Sequence, residues 1–204
     1  MSTWPWFVAS YFVGAIPTSW LTVRLARGQD LRKLGSGNLG ATNLFRVLGW
    51  KYAVPVGVFD VLKGLVPVAV FGPRAGGGEW TPLLLGITAV VGHVFSMFVG
   101  FRGGKGVATG AGVVLGLAPW AVLVAFGIWL LVVRATGYVS LASMIAAASL
   151  PPAAWLLHPD RRDLVAPLLA LALVIILLHR TNVRRLLDGT EHRFGRHGAA
   201  GRAG

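Results

Sequence analysis

Two glycine-rich stretches carry most of the polar side chains that could bind a substrate. The first, Leu34-Gly-Ser-Gly-Asn-Leu-Gly-Ala-Thr-Asn-Leu-Phe-Arg46, combines three glycines with four neutral donors and one guanidinium. Glycines let several backbone N–H groups turn toward one point, and such a loop entering a helix suits an anion. A flexible turn between helices would explain the glycines but not the polar side chains. We therefore predict a phosphate-binding loop made of Gly35, Ser36, Gly37, Asn38, Thr42, Asn43 and Arg46.

The second stretch, Gly92–Thr109, contains Gly103-Gly104-Lys105-Gly106. Bare backbone amides beside one ammonium have the composition of a phosphate cradle. It is not a nucleotide-binding P-loop, because Gly106 follows Lys105 where that motif requires Ser or Thr. The alternative is a tight turn with ordinary cytoplasmic charges. We favour a second phosphate-binding loop, and we include in this site His93, Gly103, Gly104, Lys105, Gly106 and Thr109.

Further polar residues lie at the ends of the last two apolar segments. Tyr138, Ser140 and Ser143 begin one segment, and His179, Asn182 and Arg185 end the other. Residues three apart share a helix face, which pairs Ser140 with Ser143 and His179 with Asn182. Serine in a membrane helix usually bonds its own backbone, so this group alone does not establish a site.

Asp60 and Lys63 stand three apart inside an apolar segment. Ionisable residues at membrane depth are costly and often functional. We favour the other interpretation, a mutually neutralising pair that orders the helices.

Composition places these residues in an integral membrane protein. Of 204 residues, 55% are hydrophobic and only 13% are charged, with a net charge of +12. Such a charge suits cytoplasmic loops, anionic lipid and anionic substrates better than nucleic acid. The absence of cysteine excludes a disulfide scaffold and a thiolate metal site. The histidines lack ligand spacing, so we predict no metal and no cofactor.

The pattern of apolar segments predicts an all-α fold with seven transmembrane helices. Five apolar segments are apparent, and the stretch Val107–Val133 is the uncertain one. The third helix is predicted to end in the cytoplasm, and the basic tail is predicted to be there too, so an even number of crossings must separate them. We therefore predict that Val107–Val133 divides into two short helices near Pro119. We expect the N-terminus and residues 72–79 and 158–163 outside, and the glycine-rich loops and C-terminus inside. The first segment is predicted to be retained, not cleaved as a signal peptide. Residues 1–192 form one predicted domain and 193–204 a disordered tail. The segments are Trp4–Val23, Lys51–Phe71, Trp80–Val99, Tyr138–Leu157 and Leu164–His179.

Three stretches resemble, in order, the signatures of the PlsY family, bacterial acyl-phosphate:glycerol-3-phosphate acyltransferases. They are Gly35-Ser-Gly-Asn-Leu-Gly-Ala-Thr-Asn43, Gly92-His with Phe101-Arg-Gly-Gly-Lys-Gly-Val-Ala-Thr109, and His179-Arg-Thr-Asn-Val-Arg-Arg-Leu-Leu-Asp-Gly-Thr-Glu191. The similarity covers nearly the whole chain. Before Tyr138 the family commonly has Arg, whereas this chain has Gly137 and its nearest Arg is Arg134; Leu39 stands where Pro or Ile is frequent.

The resemblance implies transfer of a long-chain acyl group from acyl phosphate to the 1-hydroxyl of glycerol 3-phosphate at the bacterial inner membrane. The products would be 1-acyl-glycerol 3-phosphate (lysophosphatidic acid) and phosphate. It carries His179 and Asn182 into the site, with Ser143 facing them, and it makes Lys105, His179, Asn182 and Ser36 the catalytic candidates. His93 is the other histidine that could accept a proton.

Two other classes of membrane protein fit less well. A transporter for a phosphorylated solute would carry polar residues through the full membrane depth, whereas the polar patches here fall on one predicted face. A CDP-alcohol phosphotransferase needs clustered metal-binding aspartates, and the four Asp residues before the third motif at His179 do not cluster: Asp30, Asp60, Asp160 and Asp163.

Overall fold

The computed structural model describes residues 2–194, and throughout them the regular structure is helical. The chain falls into two compact units, the first ending at Pro119 and the second beginning at Trp120. The single domain predicted for residues 1–192 stays a prediction. The α-helices of the first unit are α1 Trp4–Ala15, α2 Thr18–Arg27, α3 Ala41–Leu48, α4 Trp50–Val66, α5 Gly72–Ala75, α6 Thr81–Val94 and α7 Val107–Leu117. Those that follow are α8 Pro119–Thr136, α9 Val139–Leu157, α10 Val165–Leu178 and α11 Arg180–Leu187.

Helix length and composition agree with an integral membrane protein. Four helical segments are long and apolar enough to cross a bilayer, and two bent helix pairs raise the number to six within the described part of the chain. Helix α8 buries only Ala121 and Ala125, so its remaining apolar side chains need lipid around them. The four segments are Trp50–Ala75, Thr81–Val99, Pro119–Thr136 and Val139–Leu157.

The predicted division near Pro119 is present, since α7 ends at Leu117 and α8 begins at Pro119. Helix α7 has 11 residues. At 1.5 Å per residue it is about 16 Å long, roughly half the hydrocarbon thickness of a bilayer. The count of seven crossings and their orientation therefore stay predictions.

One segment predicted as a single helix is broken, and another ends in a bend. The first is broken at Ile16–Pro17, where α1 and α2 meet at 41°. Proline has no N–H to continue the helical ladder, and Pro17 instead forms a tight turn in which the Thr18 N–H donates to the Ile16 carbonyl at 3.0 Å. The last bends by 56° around His179, where the apolar α10 gives way to the arginine-rich α11.

Each unit has its own pairs of packed helices. In the first unit α1 packs on α6 and α4 packs on α7. The α4–α7 contact is close because Gly64 lies against the carbonyl of Thr109. In the second unit α9 packs on α10 and also contacts α11.

The predicted disordered tail starts at Arg193, but its first two residues are hydrogen-bonded. The Phe194 N–H donates to the Gly137 carbonyl at 2.7 Å. The Arg193 guanidinium donates to the Tyr138 hydroxyl at 2.9 Å and lies over the Tyr138 ring. An arginine thus reaches the corner where Gly137 replaces the family's usual Arg. Residues 195–204 lie outside the described part of the chain.

Candidate active site

The side chain of Asn43 shapes the first glycine loop. It is buried at the start of α3, and its amide oxygen accepts the Ser36 N–H at 2.8 Å. Its amide nitrogen donates to the carbonyls of Leu34 and Asn38 at 3.0 and 3.1 Å. These contacts fold the loop around one side chain. They give Asn43 a structural role, and its predicted contact with phosphate stays a prediction.

Glycine is required where the loop turns. Gly35 and Gly37 have φ of +57° and +74°, in the left-handed region that side chains disfavour. At Gly35 a Cβ would also overlap the amide oxygen of Asn43. The loop therefore needs glycine both for its backbone conformation and for the approach of Asn43.

Thr42 and Arg46 stand four residues apart on α3, which begins at Ala41. This spacing puts them on the same helix face. Both are half-buried, as are Ser36 and Asn38 in the loop before them. A guanidinium and a hydroxyl on one face, next to a glycine turn, form a reasonable donor set for a phosphate.

Arg32, just before the first loop, links that loop to the second glycine stretch. The Arg32 guanidinium pairs with Asp30 at 2.7 Å and also donates to the Val99 carbonyl at 3.1 Å. The hydrogen bond from Arg32 holds the pKa of Asp30 at about 2, although partial desolvation opposes the shift. Asp30 is therefore ionised at neutral pH, and the link persists there.

The second glycine loop folds back on the end of α6. The Gly103 N–H donates to the Val94 carbonyl at 2.9 Å, and the Gly104 N–H to the His93 carbonyl at 3.2 Å. A Cβ at Gly104 would overlap the His93 ring and lie 2.8 Å from the Leu39 carbonyl. The two glycine loops, predicted separately, therefore meet at Gly104.

The remaining residues of the second loop differ in their access. Lys105 is half-buried, and Gly106, at φ +74°, precedes α7. Thr109 is fully buried where α7 packs against α4, and its hydroxyl has no hydrogen-bond partner in the described residues. His93 is 8% exposed. A substrate would reach Lys105 far more easily than Thr109, whose predicted phosphate contact stays a prediction.

Asp60 and Lys63 form the ion pair that the sequence predicts. Their charged atoms are 2.6 Å apart and both residues are 2% exposed. The sequence did not predict that this pair lies beside the glycine loops. Lys63 lines a small, partly open cavity together with Thr18, Leu39, His93, Ser96, Gly103 and Gly104. The pair is thus adjacent to the junction of the glycine loops.

In the second unit, Glu191 connects the polar residues. Its Oε1 accepts from the Ser140 hydroxyl at 2.9 Å and from the Asn182 amide at 2.8 Å. Its Oε2 is 3.1 Å from the Arg185 guanidinium. Sequence reasoning missed Glu191 as a site residue, although it ends the third motif and is the acid nearest to Asn182 apart from Asp188.

Ser143 and His179 are held by backbone carbonyls. The Ser143 hydroxyl donates to the Val139 carbonyl at 2.8 Å and accepts the Trp129 indole N–H at 3.2 Å. His179 Nδ1 lies 2.7 Å from the Ile175 carbonyl. A carbonyl only accepts, so Nδ1 carries hydrogen, and in the neutral ring Nε2 has the lone pair. Ser140, not Ser143, is the serine hydrogen-bonded in the Asn182 cluster.

Each unit supplies different chemistry. The first offers Lys105 and Arg46 beside the glycine loops, two cations suited to phosphate and to a developing oxyanion. The second holds an imidazole and a carboxamide in fixed orientations, suited to placing a polar substrate. Within residues 2–194 no three His, Asp or Glu side chains cluster as a metal site would require.

Comparison with known proteins places this arrangement in context. The family model described as glycerol-3-phosphate acyltransferase matches residues 4–189. The chain is similar to the glycerol-3-phosphate acyltransferase of Geobacter sulfurreducens, with 45% identity over 91% of this chain and 94% of the relative. The corresponding enzyme of Chlorobium phaeobacteroides is 42% identical, covering 92% of this chain and 95% of the relative.

Two solved structures have a similar fold. Crystal structures of PlsY, an integral membrane glycerol 3-phosphate acyltransferase, match with a TM-score of 0.87 and 38% identity in the glycerol 3-phosphate form, over 95% of this chain and 96% of that one. In the lysophosphatidic acid form the TM-score is 0.84 and the identity 36%, over 95% of each chain.

Proposed function

The chain belongs to the glycerol-3-phosphate acyltransferase family, and we propose that it acylates the 1-hydroxyl of glycerol 3-phosphate with a long-chain acyl phosphate as donor. The products are 1-acyl-glycerol 3-phosphate (lysophosphatidic acid) and inorganic phosphate. The acyltransferase activity itself follows from the family. The donor and the position of acylation are the further steps of the proposal.

The meeting of the two glycine loops at Gly104 is the observation that carries this proposal. Both substrates of the reaction bear a phosphate, and the first unit brings together two loops of the composition that binds one. Lys105 and Arg46 supply positive charge near these loops, and the hydroxyls of Ser36 and Thr42 supply neutral donors. A single phosphate-binding loop would leave one substrate without a partner.

The membrane setting suits a donor with a fatty chain. The apolar chain of acyl phosphate stays in lipid, while its head group reaches a polar loop at the membrane face. Exposed apolar side chains flank the second loop, including Phe98 at 52% and Phe101 at 62% exposure. Burial of an acyl chain against lipid or apolar side chains contributes about 0.8 kcal/mol per methylene.

The proposed chemistry is a single acyl transfer. The 1-hydroxyl oxygen attacks the acyl carbonyl carbon, the carbonyl oxygen becomes an oxyanion, and the carbon–oxygen bond to phosphate then breaks. Lys105 is assigned to the negative charge on the phosphate and the oxyanion. The amides of Gly103 and Gly104 already donate to the Val94 and His93 carbonyls, so these glycines shape the loop instead of binding phosphate through their N–H groups. Acyl phosphate is a mixed anhydride with a good leaving group, so a strongly activated protein nucleophile is unnecessary.

The hydroxyl proton is taken up by a substrate phosphate oxygen or by His179. We assign His179 and Asn182 chiefly to substrate positioning, because both side chains are held by hydrogen bonds in the second unit. Ser36 is assigned as a donor to a phosphate, and Ser140 as the support of Glu191, which holds Asn182. The loops and the C-terminus are assigned to the cytoplasmic side.

An assay with purified protein tests the donor directly. Palmitoyl phosphate and glycerol 3-phosphate are supplied in detergent or vesicles, and released phosphate and lysophosphatidic acid are measured together. We expect equal amounts of the two products, and no turnover when palmitoyl-CoA or palmitoyl-acyl carrier protein replaces palmitoyl phosphate. Equal rates with palmitoyl-CoA would contradict the proposed donor while leaving the acyltransferase family assignment intact.

A further inference from the structure

A closed hydrogen-bond network surrounds the buried ammonium of Lys63, which the proposed chemistry does not use. The ammonium has three N–H donors and three acceptors lie around it: Asp60 Oδ1 at 2.6 Å, the Ile16 carbonyl at 2.5 Å and Thr18 Oγ1 at 3.1 Å. The Thr18 hydroxyl donates in turn to Asp60 Oδ1 at 2.8 Å. Lys63, Asp60 and Thr18 are therefore all hydrogen-bonded to one another, and each limits the position of the other two.

The network holds the chain where α1 ends and α2 begins. At this bend Pro17 interrupts the helical ladder, leaving nearby carbonyls to be satisfied from outside. Lys63 of α4 binds the Ile16 carbonyl, and Ser96 of the second glycine stretch binds the Ala15 carbonyl at 2.5 Å. Two side chains from different parts of the chain thus hydrogen-bond the consecutive carbonyls of Ala15 and Ile16.

The fastened bend forms one wall of the cavity described above. The other walls include His93, Gly103, Gly104 and Leu39, which are the residues where the glycine loops meet. Ser96 contacts both the bend and the second glycine stretch. Its hydroxyl donates to the Ala15 carbonyl, and its own carbonyl accepts the Phe101 N–H at 2.8 Å. A movement of the bend would therefore be transmitted to the loops.

We propose that Lys63, held by Asp60 and Thr18, is a positioning residue that sets the α1–α2 bend and through it the glycine loops of the active site. A buried ion pair is a costly way to stabilise a membrane helix, and apolar residues of similar size often serve stability as well or better. Its directed hydrogen bonds do what apolar residues do not, because they fix one backbone geometry. This inference rests on the proposed function.

The decisive variant removes both charges at once. The double substitution Asp60→Asn with Lys63→Met leaves no unpaired buried charge, so the protein should fold and keep a thermal midpoint near that of the wild type. We expect kcat/KM for glycerol 3-phosphate to fall about 10- to 100-fold, mostly through a higher KM, because small displacements of binding groups are costly. The matched control is Asp163→Asn, which removes the charge of Asp163 from the half-buried Arg161–Asp163 pair and should leave kcat and KM unchanged.

Two further substitutions separate positioning from stability. Thr18→Val changes no charge, and it should raise KM in the same direction with a smaller effect. Ser96→Ala removes the second hydrogen bond to the bend, and its effect on kcat/KM should be non-additive with that of the Asp60→Asn, Lys63→Met double substitution. Additive effects would show that the two side chains act independently, which would overturn their proposed joint control of the bend.

The outcomes are distinguishable from failure of the proposed function. If wild-type protein does not acylate glycerol 3-phosphate, the proposed function is wrong. If wild type is active and the folded double variant retains its kcat and KM, the ion pair is purely structural and the inference is overturned. Should the double variant fail to fold, Thr18→Val decides by the same criterion, and a wild-type KM there overturns the inference.

Discussion

The imidazole of His93 lies against Gly104, in the space that a side chain at position 104 would occupy. The Leu39 carbonyl closes the same space from the first glycine loop, 2.8 Å from where a Cβ would stand. The two loops therefore meet at Gly104, and only glycine fits at this position because a side chain would collide with both His93 and Leu39.

Gly104→Ala should therefore impair activity strongly. The added methyl would push His93 and the first loop apart, and we expect kcat/KM to fall by about 100-fold, the scale of a displacement near 1 Å. Purified variants assayed with palmitoyl phosphate provide the measurement. Gly127→Ala is the matched control, since no heavy atom lies within 4 Å of a Cβ there; it should retain full activity and slightly higher stability. Wild-type activity in Gly104→Ala would show that the loops tolerate separation.

Lys105→Ala should nearly abolish turnover in a folded protein. One charge-assisted hydrogen bond to phosphate contributes about 1.5–3 kcal/mol, which corresponds to roughly 10- to 150-fold, and more in a site shielded from water. Steady-state kinetics and a thermal midpoint in detergent measure activity and folding separately. Lys33→Ala removes an exposed lysine before the first loop and should have little effect. Near-normal turnover in Lys105→Ala would reduce the second loop to a turn.

Arg46→Lys should lower activity even though it preserves the charge. A guanidinium forms two parallel hydrogen bonds with a phosphate, and an ammonium does not reproduce this fork. We expect KM for one of the two substrates to rise about 10-fold, the effect of losing one charge-assisted hydrogen bond. Titrating each substrate in turn identifies which phosphate the residue binds. Full activity with lysine would mean that Arg46 acts only as a point charge.

The pH dependence of His179→Gln distinguishes positioning from base catalysis. If His179 mainly positions substrate, an acidic limb in the pH–rate profile persists in the variant and the titrating group lies elsewhere, with substrate phosphate the leading candidate. If His179 is the base, the limb near pH 6.5, where an ordinary imidazole titrates, disappears along with about 100-fold or more of the rate. We expect the first result.

Reporter fusions test the proposed orientation. Fusions at residues 104 and 190 should both report the cytoplasm, because basic residues concentrate in these loops and in the tail. A fusion within residues 72–79, which contain one arginine and one glutamate, should report the outside. Opposite sides for 104 and 190 would exclude the seven-helix topology.

The class of the protein, its family and the bounds of several helices follow from the amino-acid sequence alone. Apolar runs of about 20 residues have few alternatives to membrane helices, because backbone groups in lipid must bond internally. The segment predicted at Tyr138–Leu157 is the helix Val139–Leu157, and Leu164–His179 is Val165–Leu178. The three motifs identified the family because they are long, ordered and rich in residues that chemistry restricts, and the comparisons confirm that resemblance.

Tertiary structure decided which of these residues meet. Nothing in the sequence associates Lys63 with the Ile16 carbonyl, since 47 residues separate them and the position of this carbonyl depends on the bend at Pro17. Nor did it place Glu191 between Ser140 and Asn182, because a carboxylate 51 residues from its serine partner carries no local signal. Helix periodicity is a property of neighbours in the chain, whereas a hydrogen bond depends on the packing of whole helices. The sequence therefore predicts candidate site residues, whereas the hydrogen bonds between them come only from the structure.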